Sequence, residues 1–376
     1  MKKVTILALH LSYGGVEKAI SSLANMICDD YDVEIISTYK IDENPAFFIN
    51  DKVKVRYLLE DLKPNKEALK SSIKSLNPIR IIKEVLLSIK VLRERKRQMI
   101  NNIKVLDCDI AISTRMFHNE MLGKYGDKNI KKIAWEHAHH NNNLKYIKGV
   151  VDSCKDIDFL IPVSQELTSF YQTEFTNKKC KVTHVPLCLD KISKHSSNLD
   201  TKNLVAVGRL SAEKGFIELV DIMKKVVEYD NSVVLNLVGD GQERKSIESK
   251  VKEFNLEKNF ILHGYKDKEA LEKIYLESDV YLMVSLEESM GLVVLEAFSY
   301  GVPVIAFDTA KGPLEIIENN SNGIIIEGRS YDKMAEEIMS VLNDRKLLTE
   351  LGTSAKERAQ DFSFEASKRK WLELLK

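Results

Sequence analysis

The sequence predicts an α/β protein built from two doubly wound parallel-sheet, Rossmann-like domains. Two observations carry this. Short β-rich apolar runs alternate with helical patterns along almost the whole chain, and runs bounded by loops and separated by helices make parallel sheets covered on both faces. The alternation also occurs twice, on either side of one polar stretch, so two such domains follow. A chain of 376 residues is long enough to give each its own core.

In the first half the strand candidates are Val4–His10, Asp32–Tyr39, Val53–Leu58, Asp109–Thr114, Lys132–Glu136 and Phe159–Ser164. In the second they are Leu204–Gly208, Val233–Val238, Phe260–Gly264, Val280–Ser285 and Val302–Phe307. Between them "CLDKISKHSSNLDTKN" is polar and aperiodic and begins just after Pro186. The expected division is an N-terminal domain over 1–187, a linker over 188–203, a C-terminal domain over 204–356 and a closing helix over 357–376. Ligands of such sheets bind at the carboxyl ends of the strands, so two facing sheets would make a cleft and the informative residues should follow strands.

Bulk properties exclude several classes. The 56 basic and 56 acidic residues cancel, which gives no reason to expect nucleic acid as a partner. Hydrophobic content of 44% and charged content of 30% suit an ordinary soluble protein. No stretch approaches the roughly 18 uninterrupted apolar residues of a membrane span. The opening MKKVTILALHLSYGG mimics a signal peptide, but its short apolar run leads into a Gly-Gly turn and a helical pattern, and so reads as a first strand. Five cysteines without metal-type spacing fit a reducing cytoplasm.

The chemistry concentrates in the second half. "LVAVGRLSAEKGF" is a strand followed by Arg209 and Lys214, then a helix. Two cations in a strand-to-helix loop suit an anion, with Arg offering a planar fork and Lys a point charge; the same loop also reads as a solvated basic turn. "EESMGLVVLEAFSYGVPVI" places Glu288 before an apolar helix and Glu296 inside it. An unpaired carboxylate in such surroundings is costly, so Glu296 meets either a buried cation or the hydroxyls of a ligand. Gly291, at the helix start, has no Cβ to keep a phosphate from the leading N–H groups.

In order, "VGRL-x4-G", "LVGDG" and "S-x2-E-x2-G-L-x3-E-A-x3-G-x-P-V-I" resemble the retaining, nucleotide-sugar-dependent glycosyltransferases of family 4, with the GT-B fold. The likeness covers about residues 200 to 330 well and the first half loosely. It implies that Arg209 and Lys214 hold the donor diphosphate, that Gly291 and Leu292 offer it backbone N–H groups, and that Glu296 binds the ribose hydroxyls. Glu288 would contact the transferred sugar, and Tyr265 would lie near the base. Ser289 and Met290 stand where the family often has Gly-Phe, which leaves the donor sugar open. The closing helix would return to the first domain, and the first domain would take the acceptor.

In the first half, Gly14-Gly15 opens a helix after the first strand, as in the family's Gly-Gly-x-Glu loop beside the donor phosphates or acceptor; a plain tight turn reads equally from the residues. "IAWEHAHHNNN" follows another strand, and His137, with His139 second, matches the family's histidine near the donor sugar. No metal is expected: no carboxylate or Cys stands at ligand spacing to these histidines, and "DCD" at Asp107–Asp109 reads as a solvated turn. "GDGQER" lacks the full dinucleotide fingerprint.

Residues 63–104 carry twelve cations and three acids, a net +9 (12 minus 3). Asn77-Pro78 makes a helix start, and Ile82, Val85, Leu86, Ile89 and Leu92 form an apolar stripe. A basic amphipathic helix reads as a membrane-surface element; a helix packing its stripe on the sheet reads as well. The expected function is a retaining, metal-independent glycosyltransferase without cofactor. It would move a sugar from a nucleotide diphosphate sugar, foremost a UDP-sugar, to a glycan or lipid-linked acceptor in cell-surface polysaccharide synthesis. Its place would be the cytoplasm or the inner face of the plasma membrane. The rivals are a nucleotide-sugar epimerase or phosphorylase on the same fold, and a non-catalytic membrane-associated binding protein.

Overall fold

The computed structural model describes residues 1–189 and 191–376; Asp190, inside the expected linker, lies outside the described residues. The chain divides into two units, Met1–Val163 with Leu167–Val185 and Lys368–Lys376, and Ser164–Glu166 with Pro186–Ser367.

The first unit holds β1 (Lys3–Ala8), β2 (Asp32–Tyr39), β3 (Lys54–Leu59), β4 (Ile110–Ser113), β5 (Lys131–Glu136), β6 (Phe159–Pro162) and β7 (Lys181–Val182). They pair in parallel in the order β3-β2-β1-β4-β5-β6-β7. The connecting helices are α1 (Gly15–Ile27), α2 (Lys66–Lys74), α3 (Pro78–Lys104), α4 (Met116–Tyr125), α5 (Leu144–Ser153) and α6 (Gln165–Glu174). The central strands are mostly apolar because both faces are covered: Val4, Ile6, Ile112 and Ile133 are within 2% of full burial. In α1, Ile20, Leu23, Ala24 and Ile27 recur at helical spacing and are buried, so the period itself turns that face to the sheet. Helix α3 starts where the sequence expects, with the Asn77 side chain accepting from the Arg80 N–H at 3.1 Å and Pro78 at the first helical position.

The second unit holds β8 (Asn203–Val207), β9 (Val234–Val238), β10 (Phe260–Gly264), β11 (Val280–Met283), β12 (Val304–Phe307) and β13 (Gly323–Ile326), in the order β10-β9-β8-β11-β12-β13 and all parallel. Around them lie α7 (Glu218–Tyr229), α8 (Arg244–Glu253), α9 (Lys268–Leu276), α10 (Leu292–Ser299), α11 (Tyr331–Asn343) and α12 (Arg345–Gln360). The last helix, α13 (Phe364–Leu375), begins in this unit and ends in the first, where Trp371 meets Trp135 edge-on with ring centroids 5.0 Å apart.

Two expectations need correction. The described residues of 188–203 form no free linker but part of the second unit, which runs on past 356 to Ser367. The Leu189 N–H donates to the Phe362 carbonyl at 3.0 Å, the Ser197 N–H to that of Tyr300 at 2.8 Å, and Leu199 joins the core. Backbone bonds and two leucines hold a stretch whose composition reads as loose. Strands β7 and β13 were not expected; β7 spans only two residues, too short to show a period, and β13 spans four.

Both sheets are doubly wound, and in each the order reverses once, between β1 and β4 and between β8 and β11. The crevice outside the carboxyl ends of two such strands is where ligands of open α/β sheets bind.

Candidate active site

At the second unit's reversal, the loop after β8 and the loop after β11 touch through the backbone. The Leu286 N–H donates to the Glu213 carbonyl at 2.9 Å. This brings together residues more than seventy positions apart in the chain: the Lys214 ammonium bonds the Glu288 carboxylate, with side chains 20% and 19% exposed. Arg209, 71% exposed, leans toward Glu213 at 3.8 Å. Burial by itself pushes the Glu213 carboxyl up, but the Ser211 hydroxyl, donating at 2.6 Å, and the charges of Arg209 and Lys214 hold it below the usual carboxylate range. Glu213 is a member of this cluster that the sequence reading did not single out.

Helix α10 starts at the same place. Gly291 is its N-cap in the left-handed region, φ 84°, and no side chain caps the helix. A Cβ there would stand 2.9 Å from Pro313 Cγ, so both the backbone and the neighbouring turn require glycine. Met290 is buried, Ser289 and Leu292 are half-buried, and Glu296 is half-buried on α10. The groups around Glu296 include phenols: burial, then the Glu296 charge, raises the Tyr275 hydroxyl, and burial raises Tyr281 with Glu296 contributing. Tyr265 follows β10, 68% exposed, with β9 between its strand and β8.

A further cation stands nearby. Arg329 donates to Glu218 at 2.6 Å, to the Val284 carbonyl at 2.8 Å and to Thr309 at 2.8 Å. Its donors are committed to holding the end of β11, which makes it a structural clamp.

The first unit's reversal carries its own cluster. Glu17, 4% exposed, accepts from Arg115 at 3.0 Å and lies 3.7 Å from His10 Nδ1. It folds back over the helix start so closely that a Cβ on Gly14 would fall 2.0 Å from its Oε2, whereas one on Gly15 would meet nothing. A side chain on Gly14 would therefore displace the Glu17 carboxylate, whose charge sits in the first turn of α1. Arg115 follows β4, and its partnership with Glu17 is invisible in sequence because only the β1–β4 pairing creates it.

After β5, the Glu136 carboxylate accepts from the Ala138 N–H at 2.9 Å and the Tyr146 hydroxyl at 2.8 Å, and burial raises its pKa. His137 lies on Trp135, centroids 4.4 Å apart, with its Nε2 buried and unpartnered among the described residues. Burial first, and then the Arg115 charge, pushes it down to about 3, so it is neutral at physiological pH. His139 bonds Asn141 at 2.7 Å. Asp109 is a strand-end clip, accepting from the Lys3 N–H at 2.7 Å.

Two doubly wound parallel-sheet units in one chain make the GT-B architecture. Residues 190–358 match the model of the family glycosyl transferases group 1, a range that falls within the second unit. An uncharacterized glycosyltransferase of Haemophilus influenzae is 24% identical over 385 residues, covering 100% of both chains. A Campylobacter jejuni enzyme is 25% identical over 390 residues, 100% of this chain and 98% of its own. It is named as an alpha-1,4-N-acetyl-D-galactosaminyltransferase acting on a diNAcBac-PP-undecaprenol-linked glycan. Among solved structures, TarM from S. aureus, crystallised with Fondaparinux, alpha-GlcNAc-glycerol and UDP, superposes with a TM-score of 0.79 at 17% identity and full coverage of both chains.

Proposed function

We propose that the protein transfers a sugar, with retention at the anomeric carbon, from a UDP-sugar to a hydroxyl of a glycan or lipid-linked acceptor in cell-surface polysaccharide synthesis, at the cytoplasmic face of the membrane. The observation that carries the reading is the convergence of Lys214, Glu288, Arg209 and the leading end of α10 at one strand reversal. Support comes also from the relatives: UDP is named with TarM, and an undecaprenyl-linked acceptor with the Campylobacter enzyme.

In this reading the acceptor oxygen attacks the anomeric carbon as the bond to the diphosphate breaks. The acceptor's proton passes to a phosphate oxygen, and the nucleoside diphosphate leaves. Charge grows on the departing diphosphate, and Arg209, Lys214 and the N–H groups of Gly291 and Leu292 stabilise it without reorganising. No metal is needed to carry that charge. The Lys214–Glu288 pair opens on binding, Lys214 turning to phosphate and Glu288 to the sugar's hydroxyls; Ser289 and Met290 line the same loop. Glu296 takes the ribose hydroxyls and the backbone at Tyr265 the base. His137, neutral, orients the sugar as a hydrogen-bonding group, and Gly14-Gly15 let the α1 start approach the donor.

A panel of UDP-sugars with lipid extract as acceptor, followed by product analysis, tests this. Transfer to a lipid-soluble product is expected. Isomerised donor, phosphorolysis, or UDP binding with no product would replace the reading by its rivals. Unchanged UDP affinity in both Arg209→Ala and Glu296→Ala would remove the site.

A further inference from the structure

Helices α2 and α3 form a hairpin: the Ser88 hydroxyl donates to Asn65 Oδ1 at 2.7 Å, and Asn65 donates to the Glu84 carbonyl at 2.9 Å. The hairpin is held to the first unit mainly by the far half of α3. Val91 joins a small core with Tyr39 and Leu59, and Met99 and Ile103 are buried. In α2 the one buried residue is Ser72.

The apolar stripe of α3 does not face the sheet. Ile79 is 80% exposed, Ile82 60%, Leu86 62%, Ile89 40% and Leu92 52%. Their spacing of three and four keeps them on one face of the helix, roughly opposite Val91. Ile73 and Leu76, 52% and 83% exposed, extend the patch into the turn. A patch this contiguous on a soluble unit marks an interaction surface.

The rim is cationic. Eleven of the twelve Lys and Arg side chains of 63–104 are exposed, Arg95 being half-buried. Among the described residues the ion pairs within the segment are Lys70–Glu67 and Arg97–Glu94, which leaves most of the positive charge uncompensated. Lys83 and Lys90 flank the stripe, and Arg93 and Arg97 continue its face toward the end of α3, all four exposed.

We propose that this exposed face of α2 and α3 is an in-plane docking surface for an anionic lipid bilayer, the apolar stripe entering the headgroup boundary and the cations meeting lipid phosphates. Charge complementarity selects that occupant. Two copies of the face would set two strongly positive rims against each other. A nucleic acid would satisfy the cations and leave the leucines and isoleucines in water. A bilayer satisfies both, as basic amphipathic helices do when they lie at depths of about 5–10 Å in the interface.

Co-sedimentation of the full chain with phosphatidylglycerol/phosphatidylcholine vesicles tests it. Binding to mixed vesicles at least tenfold tighter than to phosphatidylcholine alone, weakening with salt, is expected. The triple change Ile82→Ser, Leu86→Ser and Ile89→Ser removes exposed side chains, so it should keep the circular dichroism spectrum and the melt while losing at least tenfold in vesicle binding. Each of Lys83→Ser, Lys90→Ser and Arg93→Ser should cost about fivefold on anionic vesicles and nothing on neutral ones. No sedimentation with anionic vesicles at low salt, or equal sedimentation of the triple variant, overturns the proposal. So does a wild-type dimer in ultracentrifugation that the triple change splits and vesicles do not. Transfer to a short soluble acceptor should be unaffected by the triple change, so a failure of the transfer reading shows separately.

Discussion

The two strand reversals hold similar residue types in different states. At the first, Glu17 and Arg115 lie 3.0 Å apart with side chains 5% and 32% exposed. The carboxylate also lies 3.7 Å from His10 Nδ1 and sits in the first turn of α1. At the second, Lys214 and Glu288 keep 20% and 19% exposure and Arg209 keeps 71%. With Arg115 removed, the 5%-exposed Glu17 is left as an uncompensated buried charge, whereas neither Lys214 nor Glu288 is buried that deeply, so water or ligand can replace the lost contact. The first reversal thus locks two loops together, and the second has the more open pair that the proposed donor site needs.

The sharpest way to break that contrast is Lys214→Ala. As a donor-site residue it should lose roughly 10²- to 10³-fold in kcat, the scale of deleting one preorganised donor to a developing charge, with the melt nearly unchanged. A transfer assay beside a thermal melt reads both; a large fall in Tm with intact turnover would make Lys214 a lock. Arg115→Ala is the mirror experiment. It strands Glu17, and a loss of about 3 kcal/mol is expected, below the middle of the buried-pair range because the helix end still faces the carboxylate. For a unit of this size that lowers Tm by roughly 6–12 °C. A shift below about 2 °C would say that Glu17 carries no net charge burden.

How much of this was legible in sequence follows from the range of each interaction. The strands of both units are local apolar runs, and all but β7 and β13 were readable. The cap at Asn77 is set within four residues. In the second unit the Glu–seven residues–Glu spacing and the nearby cations lie in two short windows, so Arg209, Lys214, Glu288, Gly291 and Glu296 could be singled out. Arg115 could not, because its meaning comes from pairing with Glu17, 98 positions away. The described residues of 188–203 read as a linker because backbone bonds and two buried leucines, Leu189 and Leu199, hold them to the second unit, and a polar, aperiodic composition shows neither. For α3 the stripe was visible but its direction was not: periodicity shows that a face exists, and only the burial of Val91 on the opposite side with Ile82, Leu86 and Ile89 exposed shows that the stripe looks outward.

Acid should separate the two units next. Burial first, with Arg115 and Arg95 adding, pushes His118 down to about 3; burial and Arg115 do the same to His137, and burial and Lys370 take His184 to about 4. All three lie in the first unit. These are histidines whose folded pKa is below the unfolded value of about 6.5, so between those values the unfolded chain binds more protons and stability falls as pH falls. Above about pH 6.5 the penalty is absent. Within the window each contributes up to about 1.4 kcal/mol per pH unit. Both tryptophans, Trp135 and Trp371, are in the first unit and meet edge-on, so their fluorescence reports that unit. Its Tm should drop between pH 6.5 and 4.5, and His118→Gln should flatten the drop; a melt by tryptophan that is level over that range would show these histidines charged in the folded state.

The smallest effect separates two arginines of the second unit. Arg209 stands 71% exposed, 3.8 Å from Glu213, so it holds little of the fold, and an exposed ion pair contributes at most about 1 kcal/mol. Its fork, however, is free to turn to a phosphate, and one charge-assisted contact at a solvated site is expected to be worth about tenfold in affinity. Arg209→Ala should therefore weaken UDP binding about tenfold by calorimetric titration and leave the melt in place. Arg209→Lys should recover only part, because a point charge does not reproduce the planar fork. Arg329→Ala should do the reverse. Its guanidinium is tied to Glu218, Val284 and Thr309, so its loss frees the end of β11, lowers Tm and changes UDP affinity only as the loop loosens. If Arg209→Ala were the variant that melts early and Arg329→Ala the one that loses UDP, the proposed donor site would have to be redrawn around the β11–β13 side of the sheet.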